Sequence, residues 1–213
     1  MRMMMIMVAG LVTLTGCVST KMVPLPQARM ANLQGKTLTI LKREKPSFTA
    51  GTAGKATFGA IGAIAMTVKG NSIVRENDIE DPAYYIAEQL AGDLVNAHSM
   101  TVGAAGESAD VLLDVQTVNW GFVYFPTDWN SYRVIYGAKL RLMDNRSRKV
   151  LAEGFCGRNP EKSDSAPGYE ELTVNRAARL KQELMAGADH CIAEFRSKVL
   201  KSSGVNAASA GVP

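Results

Sequence analysis

The sequence has few of the residues from which metal centres and nucleophilic active sites are built. Only two histidines and three cysteines occur among 213 residues, so a metal cluster or a Cys/His catalytic pair has little to draw on. Lys and Arg exceed Asp and Glu by only 24 to 20, a net charge of +4. This excess is small and dispersed, so nucleic acid is not expected as a partner.

The proportions of hydrophobic and charged residues are also not extreme. Hydrophobic residues make up 46% and charged residues 21% of the chain, which excludes disordered, collagenous and polytopic membrane proteins. The length leaves room for one domain or at most two small ones.

Methionine and the aromatic residues are each concentrated in one short part of the chain. Five of the 11 methionines fall within 1–7, and half of the aromatic residues fall within 120–136.

The N-terminal segment has the layout of a secretory signal. Arg2 precedes an apolar run over 3–14, which is too short to cross a bilayer core that needs about 20 apolar residues. The run ends in a tetrapeptide that resembles the bacterial lipobox, Leu14-Thr15-Gly16-Cys17. The resemblance implies diacylglyceryl transfer to the Cys17 thiol, removal of a signal peptide over 1–16, and acylation of the new amino group. The alternative is a plain signal peptide that contains a cysteine.

A lipid on Cys17 implies firm attachment to a membrane, because two or more acyl chains hold a protein stably. Val18 and Ser19 follow Cys17, so the Asp that retains enteric lipoproteins in the inner membrane is missing. We therefore expect the periplasmic side of the outer membrane, with inner-membrane retention left open. No cofactor is expected beyond this covalent lipid.

The mature chain divides into a tether and a domain. Prolines and scattered polar residues over 17–35 predict a lipidated tether, and 36–200 is predicted to be a periplasmic domain. The segment 201–213 is small and polar and is predicted to be disordered. A Gly/Ala-rich insertion over 48–70 fits a strand and a helix about equally well. It is interpreted either as a packed or flexible segment, or as an element that touches the membrane or packs between subunits.

Hydrophobic periodicity predicts an α/β (α+β) fold with a single mostly antiparallel sheet and helices packed on one face. Strands are predicted over 36–42, 110–120, 132–144 and 149–157, and helices over 81–98 and 169–200. Arg133, Lys139 and Arg141 share one side of their strand, so the sheet is expected to have one wet face.

The two remaining cysteines are predicted to form a disulfide. Pairing Leu142 with Val150 puts Cys156 on the core face of the sheet, and Cys191 lies in the apolar stripe of the last helix. Both then face one sheet–helix interface, as a disulfide requires, and a periplasmic protein keeps such a bond. The alternative is two buried free thiols.

The segment 120–132 joins two predicted strands and carries six large aromatic side chains. Connectors normally favour Gly, Asn, Asp and Ser, so this segment is unusual. Tyr124, Phe125 and Trp129 are predicted to be exposed in a loop. Exposed aromatic residues mark protein contacts or the membrane interface, and we predict that these three bind a protein partner.

No motif points to catalysis. The sequence has no phosphate-cradling glycine motif, no nucleophile elbow and no metal-ligand spacing. No catalytic residue, metal site or small-molecule substrate is predicted, and the chain is not expected to be an enzyme. A periplasmic enzyme is kept only as a third hypothesis.

The element order behind the lipobox resembles the small α/β domain of several outer-membrane lipoproteins, over 36–200. These are the curli secretion pore subunit, the exopolysaccharide-export ring lipoprotein and the penicillin-binding-protein activator. The resemblance implies periplasmic assembly or regulation without catalysis, and only Cys17 is carried over as a functional residue. The first hypothesis is therefore a non-catalytic accessory or assembly factor that binds a protein partner. The alternative is a ring-forming subunit of an envelope export or secretion complex.

Overall fold

Two long strands with alternating apolar residues organise the molecule. The computed structural model describes residues 21–52, 59–103 and 108–201. The strands are β1 (Thr37–Leu41), β2 (Thr49–Gly51), β3 (Thr101–Val102), β4 (Val111–Phe125), β5 (Asp128–Asp144) and β6 (Val150–Arg158). The helices are α1 (Gln27–Met30), α2 (Gly59–Glu76), α3 (Ala83–His98), α4 (Tyr169–Thr173) and α5 (Ala178–Glu194). Short 3-10 helices occupy Ala31–Leu33 and Asn175–Ala177, and a π-helical turn at Phe195–Leu200 extends α5.

The strands form one mixed sheet in the order β3-β1-β4-β5-β6, and β2 pairs with β4 beyond the end of β1. The long pairs β4–β5 and β5–β6 are antiparallel, whereas the short strands β1, β2 and β3 pair in parallel. The prediction of a mostly antiparallel α/β sheet is therefore confirmed.

The core lies between the sheet and the helices α3 and α5. Each helix buries an apolar stripe at spacings of three and four residues, as an amphipathic helix does. In α3 this stripe includes Ile86, Leu90 and Leu94, and in α5 it includes Leu180 and Leu184. The opposite side of β4–β6 carries partly exposed side chains that include Arg133, Ile135, Lys139, Arg141 and Phe155. We call this side the open face.

Part of the predicted tether is packed on the domain. Val23 forms an antiparallel bridge with Glu153 of β6, with backbone N···O distances of 2.7 and 2.9 Å. Leu25 and Leu33 are completely buried in the core. The part of the predicted tether from Val23 onward therefore contacts the domain, because burial of the two leucine side chains stabilises the folded state.

The aromatic segment is a β-hairpin, and the prediction of a loop over 120–132 is wrong. β4 and β5 pair from Val111 opposite Asp144 to Phe125 opposite Asp128. Trp120, Phe122 and Tyr124 occupy every second position of β4, so that all three rings lie on its core side. Trp120 and Phe122 pack edge-to-face on Phe48, with ring centroids 5.0 and 6.0 Å away.

The register of β5 and β6 differs by two residues from the prediction. Leu142 lies opposite Ala152, where the sequence favoured Val150, and a bulge follows Leu142. Cys156 consequently lies opposite Ala138. A shift of two residues preserves the face on which each side chain lies, so Cys156 remains on the core face.

The predicted helix over 169–200 is interrupted. Val174 is extended (φ −77°, ψ 170°), and the three residues of Asn175–Ala177 have positive φ values of 51°, 55° and 54°. Leu172 and Ala177 are both completely buried. Five residues of regular helix would turn these side chains apart, and the left-handed turn brings both to the core.

The predicted insertion over 48–70 begins as core strand and continues as helix. Phe48 is buried, and α2 packs so closely on the preceding segment that a Cβ atom at Gly70 would lie 2.1 Å from the Phe48 carbonyl oxygen. Farther towards its start, α2 exposes Ile64 and Val68 by 67% and 65%. Within the described residues, no helix is long and apolar enough to cross a membrane. The predicted signal peptide, Cys17 and the tail from 202 lie outside the described residues.

Candidate functional site

The three residues predicted to bind a partner lie at the tip of the β4–β5 hairpin, in different environments. Trp129 is 66% exposed and Phe125 only 5% exposed, while Tyr124 is half-buried against the core. The structure therefore leaves Trp129 as the large aromatic surface at this tip, and it buries Phe125, which was predicted to be exposed.

Asp128 holds the hairpin tip in shape. Its carboxylate accepts hydrogen bonds from the Asn130 amide nitrogen (3.1 Å) and the Ser131 hydroxyl (2.7 Å), and it pairs with the Lys162 ammonium at 2.9 Å. The hydrogen bonds from Ser131 and Lys162 lower the pKa of Asp128 to about 2. The strand end that carries Trp129 is thus fixed by local polar contacts.

Phe125 is covered by Arg133, which lies on the open face of β5. The guanidinium carbon is 5.4 Å from the centre of the Phe125 ring, within the range of a cation–π contact. The Arg133 Nε atom is closed to solvent and has no hydrogen-bond partner. Among the described residues, no carboxylate forms an ion pair with Arg133.

Other cations of the open face are paired. The Asp114 carboxylate is completely buried and accepts hydrogen bonds from Arg43 at 2.8 and 2.9 Å, from Arg141 at 2.7 Å and from Gln116. Burial alone would raise the pKa of Asp114, but the hydrogen bonds from Arg43 and Arg141 outweigh it and hold the pKa below its ordinary value. Lys139 likewise pairs with Glu153.

Two concave regions meet at Arg133. One is a cavity of about 180 Å³ between β5 and the loop over 159–167. The other is a shallow groove of about 310 Å³ on the open face. The apolar side chains of this groove are Val123, Ile135 and Phe155.

The two predicted disulfide partners are adjacent in space. The Sγ atoms of Cys156 and Cys191 lie 2.14 Å apart, and their Cα atoms lie 5.4 Å apart. His190 and Glu194 are near Cys156 and would complete a group of metal-binding residue types. A cysteine bonded to Cys191 offers no thiolate to a metal, so this cluster does not define a metal centre.

A buried polar network connects α3 with the sheet. The Asp81 carboxylate accepts hydrogen bonds from the Thr117 hydroxyl and, at 3.0 Å, from the Ala83 amide nitrogen. The hydroxyls of Thr117 and Tyr136 are 2.9 Å apart. Burial raises the pKa of Asp81. Because these groups are bonded to one another and Asp81 caps α3, we interpret the network as structural.

The sequence alone does not single out Arg133. It placed Arg133 on the wet face together with Lys139 and Arg141, but it offered no way to separate paired from unpaired cations. The partners Asp114 and Glu153 belong to other strands, so the distinction depends on strand register.

No family model and no curated protein matches the chain. Three solved structures overlap with its fold. A PelC dodecamer from Paraburkholderia phytofirmans is 14% identical, with 71% of this chain and 87% of that chain covered and a TM-score of 0.30. Protein XCC0632 from Xanthomonas campestris is 12% identical, with 85% and 97% covered and a TM-score of 0.36. The lipoprotein GNA1162 from Neisseria meningitidis is 15% identical, with 75% and 99% covered and a TM-score of 0.26. At these values the matches assign no function to the chain.

Proposed function

We propose that the chain is a lipid-anchored protein of the bacterial envelope that binds a protein partner and performs no catalysis. The observation that carries this proposal is the tetrapeptide ending in Cys17, directly behind a short apolar run. A thiol at this position is the acceptor that lipoprotein processing requires. Because Val18 and Ser19 follow Cys17, the proposed location is the periplasmic side of the outer membrane.

The packing of the N-terminal segment supports a role close to the membrane. Val23 is already paired with β6, only six residues after Cys17. Six fully extended residues span about 20 Å at most. A lipid on Cys17 would therefore hold the β6 edge of the domain within about 20 Å of the lipid headgroups, so a partner would be met near the membrane surface.

Two features support partner binding. Trp129 stands exposed on a tip that Asp128 fixes, and aromatic residues of this kind are enriched at protein contacts. The open face adds a groove and an arginine without an ionic partner. The proposal includes no catalysis, because the buried carboxyl of Asp81 is engaged by the Thr117 hydroxyl and the start of α3 and serves the fold.

Radiolabelled palmitate incorporation tests the anchor. The intact chain should be labelled, and Cys17→Ser should abolish the label. Ser19→Ala is the matched control, since it alters a neighbouring small polar residue and should leave labelling unchanged. Equal labelling of Cys17→Ser and the intact chain would overturn the proposal.

A ring-forming or homo-oligomeric subunit is the second candidate, and the exposed part of α2 favours it. Ile64 and Val68 lie one helical turn apart and are both largely exposed, and adjacent exposed apolar side chains can form part of a contact surface. The mass of the detergent-extracted protein discriminates the two candidates. A large assembly that dissociates on Val68→Ser would support the ring, and a monomer would exclude it.

A further inference from the structure

Arg133 is the unusual cation of the open face. Arg43 and Arg141 share the Asp114 carboxylate, and Lys139 pairs with Glu153. Among the described residues, Arg133 has only the ring of Phe125 as a partner for its charge. In the part of the chain that the structure describes, Arg133 is therefore a half-buried cation without an ionic partner.

The Nε atom of Arg133 lacks a hydrogen-bond partner among the described residues. This atom is closed to water and donates no hydrogen bond. A buried donor without an acceptor costs free energy comparable to a lost hydrogen bond. A guanidinium has a fork of donors that matches the two oxygens of a carboxylate, so an incoming carboxylate would pair with the terminal nitrogens of Arg133 and not with the closed Nε atom.

The surroundings of Arg133 are positive overall. The cavity beside it is lined by three arginines, Arg133, Arg158 and Arg179, and by two glutamates, Glu161 and Glu183. The Glu183 carboxylate forms ion pairs with Arg158 at 3.1 Å and with Arg179 at 2.8 Å. Glu161 lines the same cavity without forming an ion pair with Arg133. One positive charge is therefore left in excess, and it complements a single negative group.

The groove on the other side of Arg133 is shallow and partly apolar. Its apolar side chains are Val123, Ile135 and Phe155, and it is also lined by Asn119, Arg158, Asn159 and the glycines Gly137 and Gly157. The Phe155 ring covers these glycines, since Cβ atoms added at Gly137 or Gly157 would lie within 3.6 Å of it. A groove of about 310 Å³ has room for an aliphatic side chain, and Arg133 is one of its lining residues.

We propose that Arg133 receives a carboxylate from a protein partner, an Asp or Glu side chain with an aliphatic neighbour that lies in the groove of Val123, Ile135 and Phe155. This inference rests on the proposed partner-binding function and names the chemistry of the partner. It assigns the specificity of binding to the open face, while Trp129 contributes nonspecific apolar contact at the hairpin tip. Charge complementarity argues for the carboxylate, and the apolar part of the groove argues for a peptide segment over a lipid headgroup.

The test is a binding titration on the full lipidated chain in nanodiscs of zwitterionic lipid. The probes are two acetylated and amidated peptides with a neutral dye, Gly-Leu-Glu-Leu-Gly and Gly-Leu-Gln-Leu-Gly. We expect saturable binding of the Glu peptide, at least tenfold tighter than that of the Gln peptide. Arg133→Ala should weaken binding of the Glu peptide at least tenfold, and Arg133→Lys should retain part of it.

Arg146→Ala is the matched control, because it removes the same charge from an exposed turn and should leave binding unchanged. The melting temperature separates binding from folding. Arg133→Ala loses the contact with the Phe125 ring but also removes an unsatisfied donor, so the two effects oppose each other and the variant should still be folded at the temperature of the titration. Equal affinity for the two peptides, no binding of the Glu peptide, or equal losses in Arg133→Ala and Arg146→Ala would overturn the inference. A further arm with anionic nanodiscs and no peptide distinguishes lipid binding at Arg133, which would also overturn it. Palmitate labelling at Cys17 is read independently, so failure here leaves the anchor standing.

Discussion

The guanidinium of Arg133 lies over the ring of Phe125, 5.4 Å from its centre. This contact buries the Phe125 ring, which the sequence predicts to be exposed, and it positions Arg133 beside the groove of Val123, Ile135 and Phe155. Trp129, two residues past the turn, remains exposed.

Phe125 and Trp129 should respond oppositely to truncation. Phe125→Ala removes a buried ring and should lower the free energy of unfolding by about 3 kcal/mol. Trp129→Ala removes an exposed ring and should change it by no more than about 0.5 kcal/mol. Urea denaturation of the detergent-solubilised protein measures both. Equal destabilisation by the two variants would contradict the different burial of these rings.

The disulfide predicted between Cys156 and Cys191 should be visible on a non-reducing gel. The intact chain and Cys17→Ser should both change mobility on reduction, whereas Cys191→Ser should not. Loss of the bond should lower the free energy of unfolding by about 3–4 kcal/mol, because the bond closes a long loop in the unfolded chain. A reduction-sensitive shift that persists in Cys191→Ser would show that these two residues do not form it.

Replacing a helical glycine by alanine should change the stability of the protein in opposite directions at Gly70 and at Gly92. Gly70→Ala puts a Cβ atom against the Phe48 carbonyl oxygen and should destabilise the protein by about 2 kcal/mol. Gly92 of α3 is exposed with no atom near its added Cβ, so Gly92→Ala should stabilise by about 0.5–1 kcal/mol. Thermal melting of both variants checks the close packing of α2 on the segment around Phe48. A stabilising Gly70→Ala would show that α2 does not approach so closely.

Asp114→Asn should cost stability in a pH-dependent way. The folded state lowers the pKa of Asp114, so its contribution is present above the unfolded pKa of about 3.9 and is lost as the pH falls through the folded value. At pH 7 the variant should lose about 2 kcal/mol, since partly exposed arginines lose a charged hydrogen-bond acceptor.

The difference between Asp114→Asn and the intact chain should shrink near pH 3. Asp164→Asn changes an exposed carboxylate on the loop over 159–167 and serves as the control, with little effect at either pH. A loss for Asp114→Asn that stays constant from pH 7 to pH 3 would contradict the lowered pKa.

Hydrophobic periodicity predicted the strands and helices that need only an apolar core to pack against. The strand at Thr37–Leu41, the helix at Ala83–His98 and the core face of Cys156 all follow from apolar spacing. Even a two-residue error in the register of β6 kept Cys156 on its face, because side chains repeat with a period of two.

The elements that the sequence misplaced depend on distant partners. Residues 120–125 extend β4 because Phe48, far away in the chain, supplies a surface for their rings. Val23, in the predicted tether, pairs with Glu153 because β6 lies at the edge of the sheet. The same holds for the site, since only strand register shows which open-face cations are paired and that Arg133 is not.

The intact mass of the protein extracted from bacterial membranes shows directly whether Cys17 is lipidated. We expect a chain that begins at Cys17 and carries a diacylglyceryl group and an additional acyl chain, with no unlipidated form in the membrane fraction. A membrane-extracted chain with an unmodified Cys17, or one that retains 1–16, would contradict it.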